Sequence, residues 1–180
     1  MNITVYLGAS EGNSTVLKDA ARALGKWIGA GDNTLIYGGS KCGLMGELAE
    51  SVLSTGGKVI GVEPRFFVED GYVYDAITKL IITENMSERK AKMIELGDVF
   101  IAFPGGTGTL EEVTEVISKT ALNHLNAPCI LYNINGYYDS LRSLLRQMIT
   151  FGFSTEERQS RIYFADTLDE IQSIVSLFTR

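Results

Sequence analysis

Pro104-Gly105-Gly106-Thr107-Gly108-Thr109-Leu110-Glu111-Glu112 follows the apolar run Val99–Phe103 and runs on into a helical stretch. A strand that enters a glycine turn and leaves as a helix is a βα unit with its turn stripped of side chains. Glycine lets the backbone bend sharply and approach a ligand without a Cβ in the way. Free N–H groups at a helix start, with the helix dipole behind them, favour a phosphate. Thr107 and Thr109 add hydroxyl donors. Glu111 and Glu112 follow, and with a helix start near Thr109 they fall in its first turn, where they would repel an adjacent phosphate. The expected division is phosphate on Gly105, Gly106, Thr107, Gly108 and Thr109, with a carboxylate facing the sugar. A tight turn with helix-end charges accounts for one glycine and one glutamate, but not for the whole set.

The rest of the chain repeats the strand-to-helix pattern. Strands are expected at Ile3–Gly8, Thr34–Tyr37, Lys58–Val62, Lys79–Thr83, Val99–Phe103, Cys129–Tyr132 and Ile162–Phe164. Helices are expected at Ser14–Ala30 (capped by Asn13 or Ser14), Leu44–Thr55, Ser87–Leu96 (capped by Ser87), Thr109–Leu122, Tyr137–Thr150 and Thr167–Leu177. In the fourth of these, whose stripe repeats every three to four residues, Leu110, Val113, Val116 and Ile117 should point inward. Glu63–Ala76 has no clear period and reads as a long loop, of the kind that often serves function. Alternation of short apolar strands with helices implies an α/β fold, a mostly parallel sheet covered by helices on both faces. No repeat or linker divides residues 1–180, so one domain is expected. In such sheets ligands bind beyond the carboxyl ends of the strands. The glycine clusters at Gly8-Ala9-Ser10, Gly38-Gly39 and Pro104–Gly108 all fall there.

Two further constellations stand near that edge. Tyr37-Gly38-Gly39-Ser40-Lys41-Cys42-Gly43-Leu44-Met45-Gly46 is a second strand–turn–helix, read as the opposite wall of the same crevice. Helix–sheet packing is an equal explanation for its glycines. Glu84-Asn85-Met86-Ser87-Glu88-Arg89-Lys90 puts two cations in a first helical turn, where they oppose the dipole. That placement suggests an anionic partner for Arg89, and less strongly for Lys90. The lone His124 supports neither a triad nor a metal cluster. Cys42 and Cys129 lack metal-ligand spacing and read as reduced thiols.

The composition excludes several classes. A net charge of −6 with no basic stripe argues against nucleic acid as a partner. No apolar run reaches the roughly 20 residues of a membrane span, and no basic leader precedes the first strand, so a cytoplasmic protein is expected.

PGGTGTLEE, GGSKCGLMG and the upstream MSERK together resemble the LOG (Lonely Guy) proteins, cytokinin riboside 5′-monophosphate phosphoribohydrolases often labelled lysine decarboxylases. The resemblance runs over nearly the whole chain, and P-G-G-x-G-T-x-x-E matches Pro104 to Glu112 without a gap. It implies a Rossmann-like three-layer fold, a homodimer, and no metal or organic cofactor. The implied reaction cleaves the N-glycosidic bond of an adenine or N6-substituted adenine nucleoside 5′-monophosphate, giving free base and ribose 5-phosphate. Arg89 and Glu112 fall on the implied catalytic pair. Ser10, Gly39, Met86, Lys90, Gly105, Gly106, Thr107, Gly108, Thr109, Glu111 and Ser118 fall on implied substrate contacts. The chain departs from plant-type members at Thr107, where an aromatic is usual, and at Ser118, where threonine is common. It departs again at Lys119-Thr120-Ala121-Leu122-Asn123, which keeps only the leucine of W-A-Q-L-G, and at Ala9 in the first loop. The choice of base stays open. The rival expectation is a non-catalytic binder of a nucleotide or phosphorylated cofactor, as in molybdenum-cofactor carrier proteins; a DNA-loading protein of shared fold is weaker.

Overall fold

The apolar run at the start of the chain becomes β1 (Asn2–Tyr6) and takes the middle of the sheet. The computed structural model describes residues 1–178. On one side of β1 lie β2 (Thr34–Tyr37), β3 (Lys58–Pro64) and β4 (Lys79–Thr83). On the other side lie β5 (Val99–Ala102), β6 (Cys129–Tyr132) and β7 (Ile162–Ala165). The order is β4-β3-β2-β1-β5-β6-β7 and every pairing is parallel. The helices are α1 (Thr15–Ala30), α2 (Gly43–Ser54), α3 (Arg65–Glu69), α4 (Met86–Leu96), α5 (Thr107–Ala121), α6 (Asp139–Thr150), α7 (Glu156–Gln159) and α8 (Leu168–Ser176).

Strand periodicity sends alternate side chains to two cores. Ile3, Val5, Leu35, Tyr37 and Ile101 pack with Ala21, Leu24 and Ile28 of α1, Leu48 and Val52 of α2, and Ile171 and Val175 of α8. Tyr6, Ile36, Phe100 and Ala102 pack with Met93 of α4 and with Val113 and Val116 of α5. Because both faces are covered, the strands must be apolar throughout, which is why they read as continuous runs. Among the described residues, no helix is long and apolar enough to cross a membrane.

Several expected boundaries move, each for a local reason. β3 continues to Pro64 and draws Glu63 out of the expected loop, and that loop then folds a short helix, α3. α4 is capped by Asn85, not Ser87: the Asn85 side chain accepts the Glu88 N–H at 2.9 Å, while Glu88 accepts the Glu84 N–H at 3.0 Å. This is a variant of the capping box in which Glu88 reaches the N–H one residue before the cap, and the two bonds outcompete a lone serine. α5 begins at Thr107 behind Gly106, so Glu111 and Glu112 lie in its second turn. Leu110 is 46% exposed rather than inward. A 3-10 turn at Ile134–Gly136 precedes α6, which starts at Asp139 instead of Tyr137.

Candidate active site

The chain leaves β1 toward one half of the sheet and returns through β5 to build the other. Their carboxyl ends, Tyr6 beside Ala102, form the switch point where such sheets bind ligands. The loops that follow press together there. A Cβ on Gly105 would lie 2.8 Å from the Gly8 nitrogen and 2.2 Å from the Thr109 hydroxyl. A cavity of about 940 Å3 opens above this seam.

One end of the cavity is the start of α5. Thr107, Gly108 and Thr109 occupy its first turn, no side chain caps them, and the first helical bond runs from Leu110 N–H to Gly106. Their N–H groups are therefore the unpaired donors that an anion can accept from. A Cβ at Gly106 or Gly108 would meet nothing within 4 Å, so packing inside the chain does not demand glycine at either place. Both residues line the cavity, where glycine keeps the approach to those donors clear.

The chemical groups lie deeper. Glu112 sits five residues past Thr107, about 7.5 Å along the axis at the usual helical rise. It is 7% exposed and accepts from Arg89 Nη1 at 2.5 Å. Arg89 is 6% exposed, and its Nε donates to the Val62 carbonyl at 2.9 Å. The anionic partner expected for Arg89 is thus a side chain of α5. Burial pushes the Glu112 carboxyl above its ordinary range, and Arg89 opposes that. Glu63, at the carboxyl end of β3, joins the same wall at 3% exposure. Burial raises its carboxyl to about 7, Arg89 pulling down and Glu112 adding repulsion.

The second glycine turn makes room for protein groups. A Cβ on Gly38 would lie 2.3 Å from Arg89 Nη2, and one on Gly39, at φ +87°, would lie 2.4 Å from Glu63 Cγ. Gly43 serves loop packing, since its Cβ would stand 2.0 Å from the Ala9 carbonyl. Gly38-Gly39 is therefore the seat of the buried arginine and glutamate.

Of the expected residues, Ser10, Met86, Arg89, Gly105, Gly106, Thr107, Gly108, Thr109 and Glu112 come together around the cavity. Gly39 acts from behind it through Glu63. Lys90 turns away and pairs with Glu111 at 2.7 Å and Glu115 at 3.3 Å, so neither Lys90 nor Glu111 lines the cavity. Ser118 is exposed farther along α5, also outside it. His124 is exposed as expected.

Glu63 as a buried strand residue and Tyr137 escaped the sequence reading, whereas the rim loop lies within the Glu63–Ala76 stretch expected to be a functional loop. Tyr137 lines the cavity and its hydroxyl donates to the Gly105 carbonyl, fixing the glycine turn. Lys41 N–H to Tyr72 O at 2.9 Å and Tyr74 N–H to Gly39 O at 3.0 Å pin the rim loop, placing Phe67 and Tyr72 at the mouth. The available signal for Glu63 was an acid between a buried strand and a proline at the glycine-rich edge.

A family model described as "Possible lysine decarboxylase" matches residues 45–175. The cytokinin riboside 5'-monophosphate phosphoribohydrolase of Rhodococcoides fascians is 41% identical over 162 residues, covering 89% of this chain and 82% of that protein. The chain belongs to the LOG phosphoribohydrolase family. An Arabidopsis thaliana member named for the same activity is 37% identical over 169 residues, covering 94% of this chain and 79% of its own. Among solved structures, a Moco carrier protein from Chlamydomonas reinhardtii superposes with a TM-score of 0.73 at 21% identity, covering 98% of this chain and 96% of that one. A molybdenum cofactor binding protein from Rippkaea orientalis gives 0.71 at 23%, covering 99% and 97%. These likenesses show the Rossmann-like fold, and the LOG family shares it with carriers.

Proposed function

We propose that this protein hydrolyses the N-glycosidic bond of an adenine-type nucleoside 5′-monophosphate, releasing the base and ribose 5-phosphate. The observation that carries this is the buried Arg89–Glu112 pair set about one and a half helical turns below the free N–H groups of α5. That spacing suits a nucleotide whose phosphate sits on Gly105–Thr109 while its ribose reaches Glu112. Cleavage develops positive charge on the ribose ring, and a fixed carboxylate in a water-poor site stabilises it. Arg89 holds Glu112 in place and keeps its charge compensated. Phosphate binding fixes the sugar, so a free nucleoside should be the poorer substrate. The names of the relatives support the same reaction. A homodimer is part of this reading, with Leu122, 61% exposed at the end of α5, in its contact.

The test is product analysis of a panel of purine and pyrimidine nucleoside monophosphates. Wild type is expected to release an adenine-type base, and Glu112→Ala to lose about 100-fold or more in rate, the scale of removing one electrostatic stabiliser. Recovery of every nucleotide unchanged from the wild type would sink the reading.

A further inference from the structure

One buried carboxyl has no counterpart in the Arg89–Glu112 pair. Glu63 is as deep as either, yet its Oε2 has no hydrogen-bond partner. Arg89 spends Nε on Val62 and Nη1 on Glu112, so the nearby cation is already engaged. The backbone is shaped to seat this side chain, because only glycine at 39 leaves space for its Cγ. Glu63 is one of the residues that line the cavity. Three charged or titratable groups face it from the packed elements: Tyr37 on β2, Arg89 on α4 and Glu112 on α5. Tyr37 is buried, its hydroxyl is likewise unpartnered, and burial raises it well above its ordinary value, so it stays neutral.

Two carboxylates beside one arginine cannot both be compensated. Glu112 takes the arginine as its counter-ion. Glu63, desolvated and unpaired, favours the protonated form. Neighbouring carboxyls of which one is ion-paired and the other is not are the arrangement that separates a base from an acid in glycosidic cleavage.

We propose that Glu63 is the general acid of the reaction, donating its proton to a ring nitrogen of the departing base. The inference rests on the hydrolysis reading above. As the C1′–N bond breaks, its electron pair goes to the base and the Glu63 proton neutralises a ring nitrogen. Water then bonds to C1′ and gives its proton to Glu112, which passes it to solvent. Glu63 regains a proton from solvent, so the sum is nucleotide plus water to base plus ribose 5-phosphate.

A leaving group that needs no proton separates this role from a structural one. The two substrates are AMP and the 5-phosphate of 4-nitrophenyl riboside, whose phenolate departs unprotonated. For the wild type, kcat/KM on AMP should fall as pH rises through about 7, and the nitrophenyl substrate should lack that limb. Glu63→Gln should lower kcat on AMP about 100-fold or more, the lower end of general-acid contributions, with KM little changed. The same variant should cleave the nitrophenyl substrate within about threefold of wild type. Equal losses on both substrates, or undiminished AMP cleavage by Glu63→Gln, would overturn the role while leaving the hydrolase reading intact. Should Glu63→Gln fail to fold, identical pH profiles for the two substrates on wild type overturn it alone. A wild type that cleaves neither substrate overturns both inferences.

Discussion

Arg89 pairs with Glu112, and their chain neighbours Lys90, one residue later on α4, and Glu111, one residue earlier on α5, pair with each other. The charges are the same, the partners come from the same two helices, and the distances are 2.5 and 2.7 Å. What differs is water. The Arg89 and Glu112 side chains are 7% and 8% exposed, whereas Glu111 in the outer pair is 63% exposed. In the dry pair, each charge depends on the other, because hydration no longer stabilises it. In the wet pair, solvent and salt do most of that work. One step along two helices thus separates a chemical site from a surface contact.

The sharpest way to break this comparison is to remove the inner cation. Arg89→Ala leaves Glu112 buried and uncompensated, and should cost about 3–5 kcal/mol in denaturant unfolding as well as base release. The double variant Arg89→Ala/Glu112→Ala no longer buries that charge, and should recover part of the loss. A double variant no more stable than the single would show that the inner pair is wetter than its exposure indicates.

The inner pair was only half legible in the sequence. Glycines, threonines and glutamates from Pro104 to Glu112 announce a βα turn because glycine turns and helix starts are local chemistry. Arg89 stood out because a cation in the first turns of a helix opposes the dipole. The meeting of Arg89 with Glu112 depends on α4 and α5 lying on the same sheet face, which no local pattern states. Glu63 was harder still. Its place follows from the β2–β3 register, Tyr37 beside Gly61, which brings residue 63 alongside Gly39. A single acid ending a strand reads as the beginning of a loop until that register is known. The helix starts differ for a simpler reason: Gly106 caps α5 with no side chain, and Asn85, with Glu88 three residues on, caps α4 in place of Ser87.

A second prediction sharpens the contrast through pH. Burial raises Glu63 from 4.5 to about 7 and raises Glu112 in the same direction. Between those values the folded protein keeps protons that the unfolded chain has released. Stability should therefore decline as pH rises through this window and level off above about 7. The half-buried Glu47 and the exposed Glu84 are lowered by their cations and act at more acidic pH, where their contribution is lost on protonation. Urea midpoints taken between about pH 5 and about pH 8 should fall for wild type and fall less for Glu63→Gln. Midpoints that rise through the window, or an unchanged slope in the variant, would contradict the buried-carboxyl account.

The smallest effect belongs to the outer pair. A double-mutant cycle on Lys90→Ala and Glu111→Ala should give a coupling of about 0.2–1 kcal/mol, shrinking as salt is raised. Lys90 has Glu115 at 3.3 Å as a second carboxylate, so losing Glu111 leaves the cation partly matched. Base release by Lys90→Ala should drop far less than by Arg89→Ala, because the ammonium faces away from the cavity. A coupling that approached the inner pair's energy and ignored salt would mean that the outer pair is desolvated in the working protein. That in turn would place a second surface over α4 and α5, and sedimentation of the same variants would reveal it as a change in oligomeric state.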